Sequence, residues 1–214
     1  MFIELIDLLR CVNDHEDTWL VASFKTVSNR FVLEASLGCP SCSAHYPILD
    51  GIADFSLGQT SASCDEERGA ASHLREELAT RAGAFLNATQ PGATIVLGGL
   101  WAYAAQDLAD LADVRVIALN APGEVKESPR VALVQTAGRI PLAPSSVHGV
   151  ALDPWFPVAM TQSAWRVVKP GGRIVAPTSF DAPPQSTVLA HDESYWVAEK
   201  LTQLVSLERP KPSR

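Results

Sequence analysis

Hydrophobic and polar residues follow two different patterns along this chain. Residues 1–56 carry short alternating runs typical of strands, at Trp19–Phe24, Arg30–Ser36 and His45–Ile48. The polar stretch 25–29 is predicted to connect the first two strands, and Asp50-Gly51 is predicted to form a turn. This segment is therefore expected to be a small β-rich domain.

After a Ser/Gly-rich linker at 57–66, the pattern of residues 67–214 predicts alternating helices and strands. Leu74, Leu78, Ala82 and Phe85 recur at helical spacing. Buried strands are predicted at Ala93–Leu97, Val114–Leu119, Val131–Val134, Gly149–Leu152 and Arg173–Ala176; helices near Ala104–Leu111 and at Trp155–Val168; a turn at Pro170–Gly172; and a closing hairpin from Tyr195–Lys200 and Leu204–Leu207. Apolar strands separated by helices favour an α/β fold with a mostly parallel sheet and helices on both faces.

Composition narrows the class of protein. The 214 residues are 47% hydrophobic and 19% charged, as in an ordinary globular protein. The net charge of −7 argues against a nucleic-acid-binding role, which needs a basic surface. No run approaches the roughly 20 apolar residues of a membrane span, and the acidic N-terminal stretch is unlike a signal peptide. A cytoplasmic location is expected, where cysteines serve metals more often than disulfides.

The strongest chemical signal is Cys39-Pro40-Ser41-Cys42, a tight turn that can aim two sulfurs at one tetrahedral metal. Upstream, Cys11 and His15 offer a second pair of ligands, with Asp14 as the alternative fourth ligand. Imidazole suits zinc better than a carboxylate, so His15 is preferred. The prediction is a structural Zn²⁺ that stabilises a domain too small for a large core. The competing interpretations are a pair of buried thiols, or a ribbon that has lost its metal because the first ligand pair is not Cys-x-x-Cys. Cys64 is expected to be a free thiol in the linker.

Two resemblances to known families arise from specific motifs. Leu9-Arg10-Cys11, the Cys39–Cys42 turn and Tyr46-Pro47-Ile48-Leu49-Asp50-Gly51-Ile52 resemble the small zinc-ribbon activator subunit that supports tRNA and release-factor methyltransferases. The stretches Arg139–Val150 and Trp165–Val175 resemble the approaches to the fourth and fifth strands of a class I methyltransferase that uses S-adenosylmethionine. The resemblance implies a Rossmann-like sheet, a cofactor crevice and a link to methyltransferases.

The cofactor motif implied by the second resemblance is degenerate. The family has an acid and a glycine-rich loop after the first strand, where this chain has Gly98 and Gly99 followed by Leu-Trp-Ala-Tyr. Neutral residues Asn120, Thr136 and His148 stand at three further positions where the family has acids. Losing two charge-assisted hydrogen bonds costs about 3–6 kcal/mol of binding. Binding of S-adenosylmethionine is therefore doubtful. Trp101 and Tyr103 are expected to plug the crevice.

Asp153 follows the fourth strand, where such enzymes keep substrate-binding residues. Its alternative role is to cap the following helix, with Pro154 as the first helical residue. Three functions from different classes remain open at this point. The first is a non-catalytic pseudo-methyltransferase that binds or regulates a protein partner, such as an active methyltransferase. The second is an active methyltransferase with an atypical pocket, and the third is an enzyme or sensor for a different small ligand in the same crevice. A partner is expected to add a strand to an exposed edge of the ribbon.

Overall fold

The computed structural model describes residues 1–58 and 75–202, which share one mixed β-sheet. The strands are β1 (Val21–Ser28), β2 (Phe31–Gly38), β3 (His45–Leu49), β4 (Ile52–Phe55), β5 (Thr94–Gly98), β6 (Arg115–Leu119), β7 (Val131–Thr136), β8 (Val147–Ala151), β9 (Val168–Pro177), β10 (Ser186–His191) and β11 (Tyr195–Lys200). The predictions for Cys64 and Leu204–Leu207, and most of the predicted linker, lie outside the described residues.

The helices of the described residues are short. Residues 1–58 and 75–202 contain three α-helices, α1 (Arg75–Phe85), α2 (Ala105–Ala112) and α3 (Val158–Val167), together with 3₁₀ helices at Ile3–Leu8 and Gly99–Ala104. Neither the β6–β7 nor the β7–β8 connection contains a helix. The helix predicted at Trp155–Val168 is α3, which begins three residues after the predicted start because Pro157 is its N-cap residue. No described helix is long and apolar enough to cross a membrane.

The strand order over the described residues is β1-β2-β3-β4-β7-β6-β5-β8-β9-β11-β10. Five of the ten neighbouring pairs are parallel, and all five lie between β4 and β9. The prediction of a mostly parallel sheet is therefore wrong for the sheet as a whole. It holds for the central strands, while antiparallel strands extend the sheet on both sides.

The first four strands form an antiparallel meander that joins the central sheet directly. Strand β4 pairs in parallel with β7, so that Ile52 lies opposite Leu133 and Phe55 opposite Thr136. The first hairpin turns at Asn29 and Arg30, whose φ angles of 48° and 67° are those of a two-residue type I′ turn. The predicted connection at 25–29 is therefore too long, since β1 continues to Ser28.

Alternate residues of the central strands point into two hydrophobic clusters on opposite faces of the sheet. Ile95 and Leu97 pack with α1 and α2, whereas Val96 packs with α3 and with the N-terminal residues that include Leu5 and Leu9. The predicted helices on both faces are confirmed. The face carrying α3 is completed by the N-terminal segment, whose Arg10 N–H donates to the carbonyl of Pro141 at 2.9 Å.

Two further elements differ from the sequence prediction. The predicted turn at Pro170–Gly172 lies within β9, where an irregular register beside β8 and a Gly171 φ of 76° let the strand continue. The closing hairpin is formed by β10 and β11. Strand β10 was missed because Pro183-Pro184 lies just before it and makes the stretch look irregular.

Candidate metal centre and candidate cofactor crevice

Two loops bring four potential metal ligands together at one end of β2 and β3. Cys39 and Cys42 lie in the turn between these strands, and Cys11 and His15 lie in the loop that follows the first 3₁₀ helix. The turn is closed by backbone hydrogen bonds, from Cys39 N–H to Ala44 O (2.8 Å) and from Ser43 N–H to Cys39 O (2.9 Å). The four ligand atoms lie within 4.8 Å of one another.

The spacing of these atoms fits a tetrahedral zinc. Zn–S bonds of about 2.3 Å and Zn–N bonds of about 2.0 Å place ligand atoms about 3.5–3.8 Å apart at tetrahedral angles. The sulfurs of Cys11 and Cys42 are 3.6 Å apart, and Cys39 Sγ lies 3.4 Å from His15 Nε2. Asp14 is exposed and is not part of this cluster.

His15 is oriented as a metal ligand by its other ring nitrogen. The Glu16 carbonyl lies 2.7 Å from His15 Nδ1. Because a carbonyl can only accept, Nδ1 carries the proton of the neutral ring, and the lone pair of Nε2 points into the cluster. A hydrogen bond of this kind on the second nitrogen is the usual support for a metal-binding histidine.

The sulfurs have partners that stabilise thiolates. Tyr46 OH lies 3.0 Å from Cys11 Sγ, and burial raises the pKa of the Tyr46 phenol, which keeps it a donor. The backbone N–H of Ala44 and the side-chain amide of Asn13 lower the pKa of Cys42 to about 6. Burial raises the pKa of Cys11. A bound cation would favour the thiolate at Cys11, because a coordinating thiol is deprotonated.

An ion-pair network ties the ligand loop to the second half of the chain. Asp17, two residues after His15, lies 3.1 Å from Arg166 of α3 and 3.5 Å from Arg139. Arg166 also donates to the carbonyl of Ile140 at 2.9 Å, and Arg139 donates to the carbonyl of Asn13 at 3.4 Å. The ligand loop, which carries Cys11 and His15, is thereby fixed against the β7–β8 connection and α3.

The candidate cofactor crevice lies at the carboxyl ends of β5, β6 and β8, which is where ligands bind to open α/β sheets. Its cavity measures about 30 Å³ and is lined by Gly99, Asn120, Ala137, Asp153, Trp155, Phe156 and Pro157. A volume of this size holds about one water, whereas small-molecule sites typically occupy about 300–1,000 Å³. The crevice is closed in this conformation.

Asp153 closes the crevice from the β8 side. Its side chain is fully buried, and its two oxygens accept from the backbone N–H groups of Leu100 (2.7 Å) and Trp155 (3.0 Å). The first bond holds the 3₁₀ helix after β5, and the second forms a turn ahead of α3. Asp153 therefore caps a turn and is not the N-cap of α3, since that helix begins at Val158.

Asn120 and Thr136, two of the predicted cofactor positions, hydrogen-bond to each other. The Asn120 amide donates to Thr136 O at 2.9 Å and accepts from Thr136 N–H at 2.8 Å. The Thr136 hydroxyl donates to the carbonyl of Arg139 at 2.6 Å. These groups stabilise the ends of β6 and β7, and the two amide bonds engage both polar atoms of the Asn120 side chain.

Gly98 and Gly99 lie against the residues that fill the crevice. A Cβ on Gly98 would stand 2.6 Å from Phe156 Cε2, and a Cβ on Gly99 would stand 1.8 Å from Asp153 Oδ2. The backbone of Gly99 has a φ of 61°. These glycines permit close packing of protein against protein.

Trp101 and Tyr103 do not line this cavity. Trp101 packs edge-to-face between Phe85 and Tyr195, within the cluster formed by α1 and α2. Both residues are buried. The crevice is filled by Asp153 and Phe156, and the expectation that Trp101 and Tyr103 plug it is wrong.

His148 lies near the amino end of β8, at the end of the strands opposite to the crevice. There its Nδ1 accepts a hydrogen bond from the backbone N–H of Thr94. Sequence reasoning missed the contribution of Tyr46 to the metal cluster and that of Phe156 to the crevice. Tyr46 was recognisable only as part of a family motif. Phe156 carried no signal of its own, since its partner Gly98 is 58 positions away in sequence.

No family model and no curated protein matches this chain. Several solved structures are similar over part of it. A chain of the complex between the Haloferax volcanii Trm112 methyltransferase activator and a candidate methyltransferase shares 20% identity over 50% of this chain and 55% of its own, with a TM-score of 0.42. A candidate sarcosine dimethylglycine methyltransferase from Galdieria sulphuraria shares 19% identity over 52% and 48%, with a TM-score of 0.41. This chain thus spans about half the length of each.

A third solved structure is matched over more of its length. A candidate S-adenosyl-L-methionine-dependent methyltransferase from Methanococcus maripaludis shares 13% identity over 67% of this chain and 92% of its own, with a TM-score of 0.49. All three TM-scores are below 0.5, so these similarities do not assign a function to this chain.

Proposed function

We propose that this protein is a non-catalytic binding or regulatory protein of the cytoplasm. In this proposal, residues 1–56 form a zinc ribbon, and residues 67–214 form a methyltransferase-like domain that has lost its S-adenosylmethionine site. The ribbon and the domain act as one rigid unit, because they share a sheet through β4 and β7.

The observation that carries the proposal is the closed crevice. Asp153 and Phe156 occupy the space beside Gly98 and Gly99, and about 30 Å³ remains. The polar atoms that would contact the cofactor are engaged within the protein, as in the paired amide and backbone of Asn120 and Thr136. Binding S-adenosylmethionine would require breaking these hydrogen bonds and moving a buried carboxylate, each at a cost of about 1–3 kcal/mol.

Zinc is assigned a structural role. The three sulfurs and one nitrogen complete a tetrahedral set, so no coordination position is left for a substrate. Cys11, His15, Cys39 and Cys42 would hold the metal, with Tyr46 and the Glu16 carbonyl orienting two of them. The metal would fix the ligand loop from which Asp17 reaches the second half of the chain.

The experiment is a calorimetric titration of the zinc-loaded protein with S-adenosylmethionine and S-adenosylhomocysteine. No heat of binding is expected at ligand concentrations up to about 1 mM. A dissociation constant of about 1 mM corresponds to a binding free energy of about −4 kcal/mol. The Phe156→Ala variant, which enlarges the crevice, is titrated in parallel. Micromolar binding by the wild-type protein would instead support an active methyltransferase with an atypical pocket.

The partner is proposed to bind at the free edge of β1. The other edge of the antiparallel meander is already paired with β7. Among the described strands β1 pairs with β2 alone, and its side chains are mostly exposed. Trp19, Val21 and Val27 are exposed at this side. An added strand would satisfy the unpaired backbone groups there. A partner complex that survives charge substitutions at both Val21 and Val27 would exclude this edge.

A further inference from the structure

A second cavity lies at the end of the sheet opposite to the closed crevice. It measures about 310 Å³, and its polar lining residues are Asn87, Thr89, Gln90, His148 and Lys169. His148 comes from the beginning of β8 and Lys169 from the beginning of β9, so two neighbouring parallel strands position them. Neither residue takes part in the proposed function.

The hydrogen bond to Thr94 determines the tautomer of His148. The backbone N–H of Thr94, the first residue of β5, lies 3.1 Å from His148 Nδ1. A backbone N–H can only donate, so Nδ1 accepts and the proton of the neutral ring is on Nε2. Burial and the neighbouring charge of Lys169 lower the pKa of His148, which favours the neutral ring.

The Nε2–H group of His148 faces a second donor. Lys169 Nζ lies 3.4 Å from Nε2, and an ammonium group has three donors and no acceptor. Within residues 1–58 and 75–202, Lys169 forms no ion pair. Two donors, one of them charged, therefore converge on the cavity without an acceptor between them.

We propose that this cavity binds a small organic anion whose carboxylate or phosphate oxygens accept hydrogen bonds from both His148 Nε2 and Lys169 Nζ. One oxyanion group can bridge donors at this separation, and a charge-assisted hydrogen bond is stronger than a neutral one. The volume suits a small metabolite. The amide and hydroxyl groups of Asn87, Thr89 and Gln90 provide further polar contacts at the rim.

The backbone around Lys169 is closely packed. A Cβ on Gly172 would stand 2.5 Å from the carbonyl of His148, so only glycine allows this approach of β9 to β8. Gly171 has a φ of 76°, which also favours glycine. The donors are therefore positioned by the sheet, and binding needs no rearrangement of a loop.

The test is a titration of the full-length, zinc-loaded protein at constant ionic strength, with inorganic phosphate in one arm and acetate in the other. Calorimetry measures the binding of each anion to every variant. Nitrogen-15 NMR of the His148 ring reports the contact at Nε2 in the proteins that keep this histidine. Lys169→Met removes the charged donor. His148→Asn removes the Nε2 donor, while the Asn Oδ1 retains an acceptor for Thr94. Lys25→Met, at an exposed lysine of β1, is the matched control.

We expect saturable binding in at least one arm, and the stronger arm identifies the anion class. Lys169→Met should weaken binding about ten-fold or more, and His148→Asn about three- to ten-fold. Lys25→Met should leave it unchanged. Absence of saturable binding in both arms would overturn the proposal, as would an equal loss in Lys169→Met and Lys25→Met. If His148→Asn does not fold, the difference between the two lysine variants decides.

Discussion

The candidate metal cluster and the closed crevice both bring together polar groups from distant parts of the chain. The two sites differ in how far the hydrogen-bonding capacity of these groups is used within the protein. In the candidate metal cluster, four ligand atoms face one another at tetrahedral spacing, and two of the ligand residues are also contacted from outside the cluster, one by Tyr46 and the other, at His15 Nδ1, by the Glu16 carbonyl. In the crevice, the polar atoms of Asp153 and Asn120 bond to the protein itself. The difference indicates that convergent polar groups point to a ligand only when their bonding capacity has not been used within the fold.

Removing a proposed metal ligand should give the largest effect. Cys39→Ser is expected to abolish zinc binding and to lower the melting temperature by about 10–20 °C, because structural zinc contributes several kcal/mol to folding. Zinc content is measured by elemental analysis and the melting temperature by calorimetry. Cys64→Ser is the matched control, at a cysteine that the sequence assigns to the linker. Unchanged zinc content in Cys39→Ser would refute the proposed centre.

Introducing an acid at Gly98, as in the methyltransferases that the sequence resembles, should destabilise the protein. Gly98→Asp places a Cβ against Phe156 and buries a carboxylate, and we expect a loss of about 3 kcal/mol or more in the free energy of unfolding. Adding Phe156→Ala should recover about 1–2 kcal/mol relative to additivity. Gly123→Asp is the control, since a Cβ there meets nothing within 4 Å. Chemical denaturation measures five proteins: the wild type, Gly98→Asp, Phe156→Ala, the double variant and Gly123→Asp. Strict additivity would show that Phe156 does not fill the crevice.

An acid introduced at position 120 tests the hydrogen bonds of Asn120. Asn120→Asp replaces the donor to Thr136 O with a carboxylate that repels that carbonyl, at a cost of about 2 kcal/mol at pH 7. The repulsion raises the pKa of the new carboxyl in the folded state, so stability relative to wild type should recover as the pH falls below about 4–5. Asn87→Asp is the control, at an exposed asparagine with a similar φ of 51°. A deficit that is the same at pH 4 and pH 7 would contradict this account.

The smallest effect is expected at the ion-pair network beside the ligand loop. Asp17→Asn should lower the free energy of unfolding by about 0.5–1 kcal/mol, since the pairs with Arg166 and Arg139 are partly exposed. Added salt should reduce the difference from wild type. Asp14→Asn, at an exposed neighbouring acid, should be neutral in the same denaturation assay. An equal effect of both substitutions would show that the pairs contribute nothing specific.

Local patterns along the sequence predicted most of the central sheet. The apolar runs that became β5, β6 and β7 were continuous and bounded by clear breaks, so their positions were correct to within about two residues. Strand β4 was missed because four residues after a turn carry too little pattern. Its pairing with β7 joins positions 81 apart in sequence, for example Ile52 and Leu133, and local periodicity holds no information on such contacts.

The candidate sites were predictable to different degrees for a similar reason. Cys39 and Cys42 share one turn whose spacing implies a metal, and a second pair of ligands was then expected nearby. The closure of the crevice depends on Asp153 meeting the backbone of Leu100 and on Phe156 meeting Gly98. A backbone N–H has no signature in the sequence. The sequence therefore predicted a degenerate cofactor site, but it assigned the filling of that site to Trp101 and Tyr103.

The pairing of β4 with β7 has a consequence for assembly. Because both strands belong to one chain, their pairing is intramolecular, and a weak edge-to-edge interaction is sufficient to keep them joined. The same two edges on separate chains would have to bind with high affinity. Covalent linkage thus relieves selection on the strength of this contact, and a competing strand from another protein would have to displace a partner that cannot diffuse away.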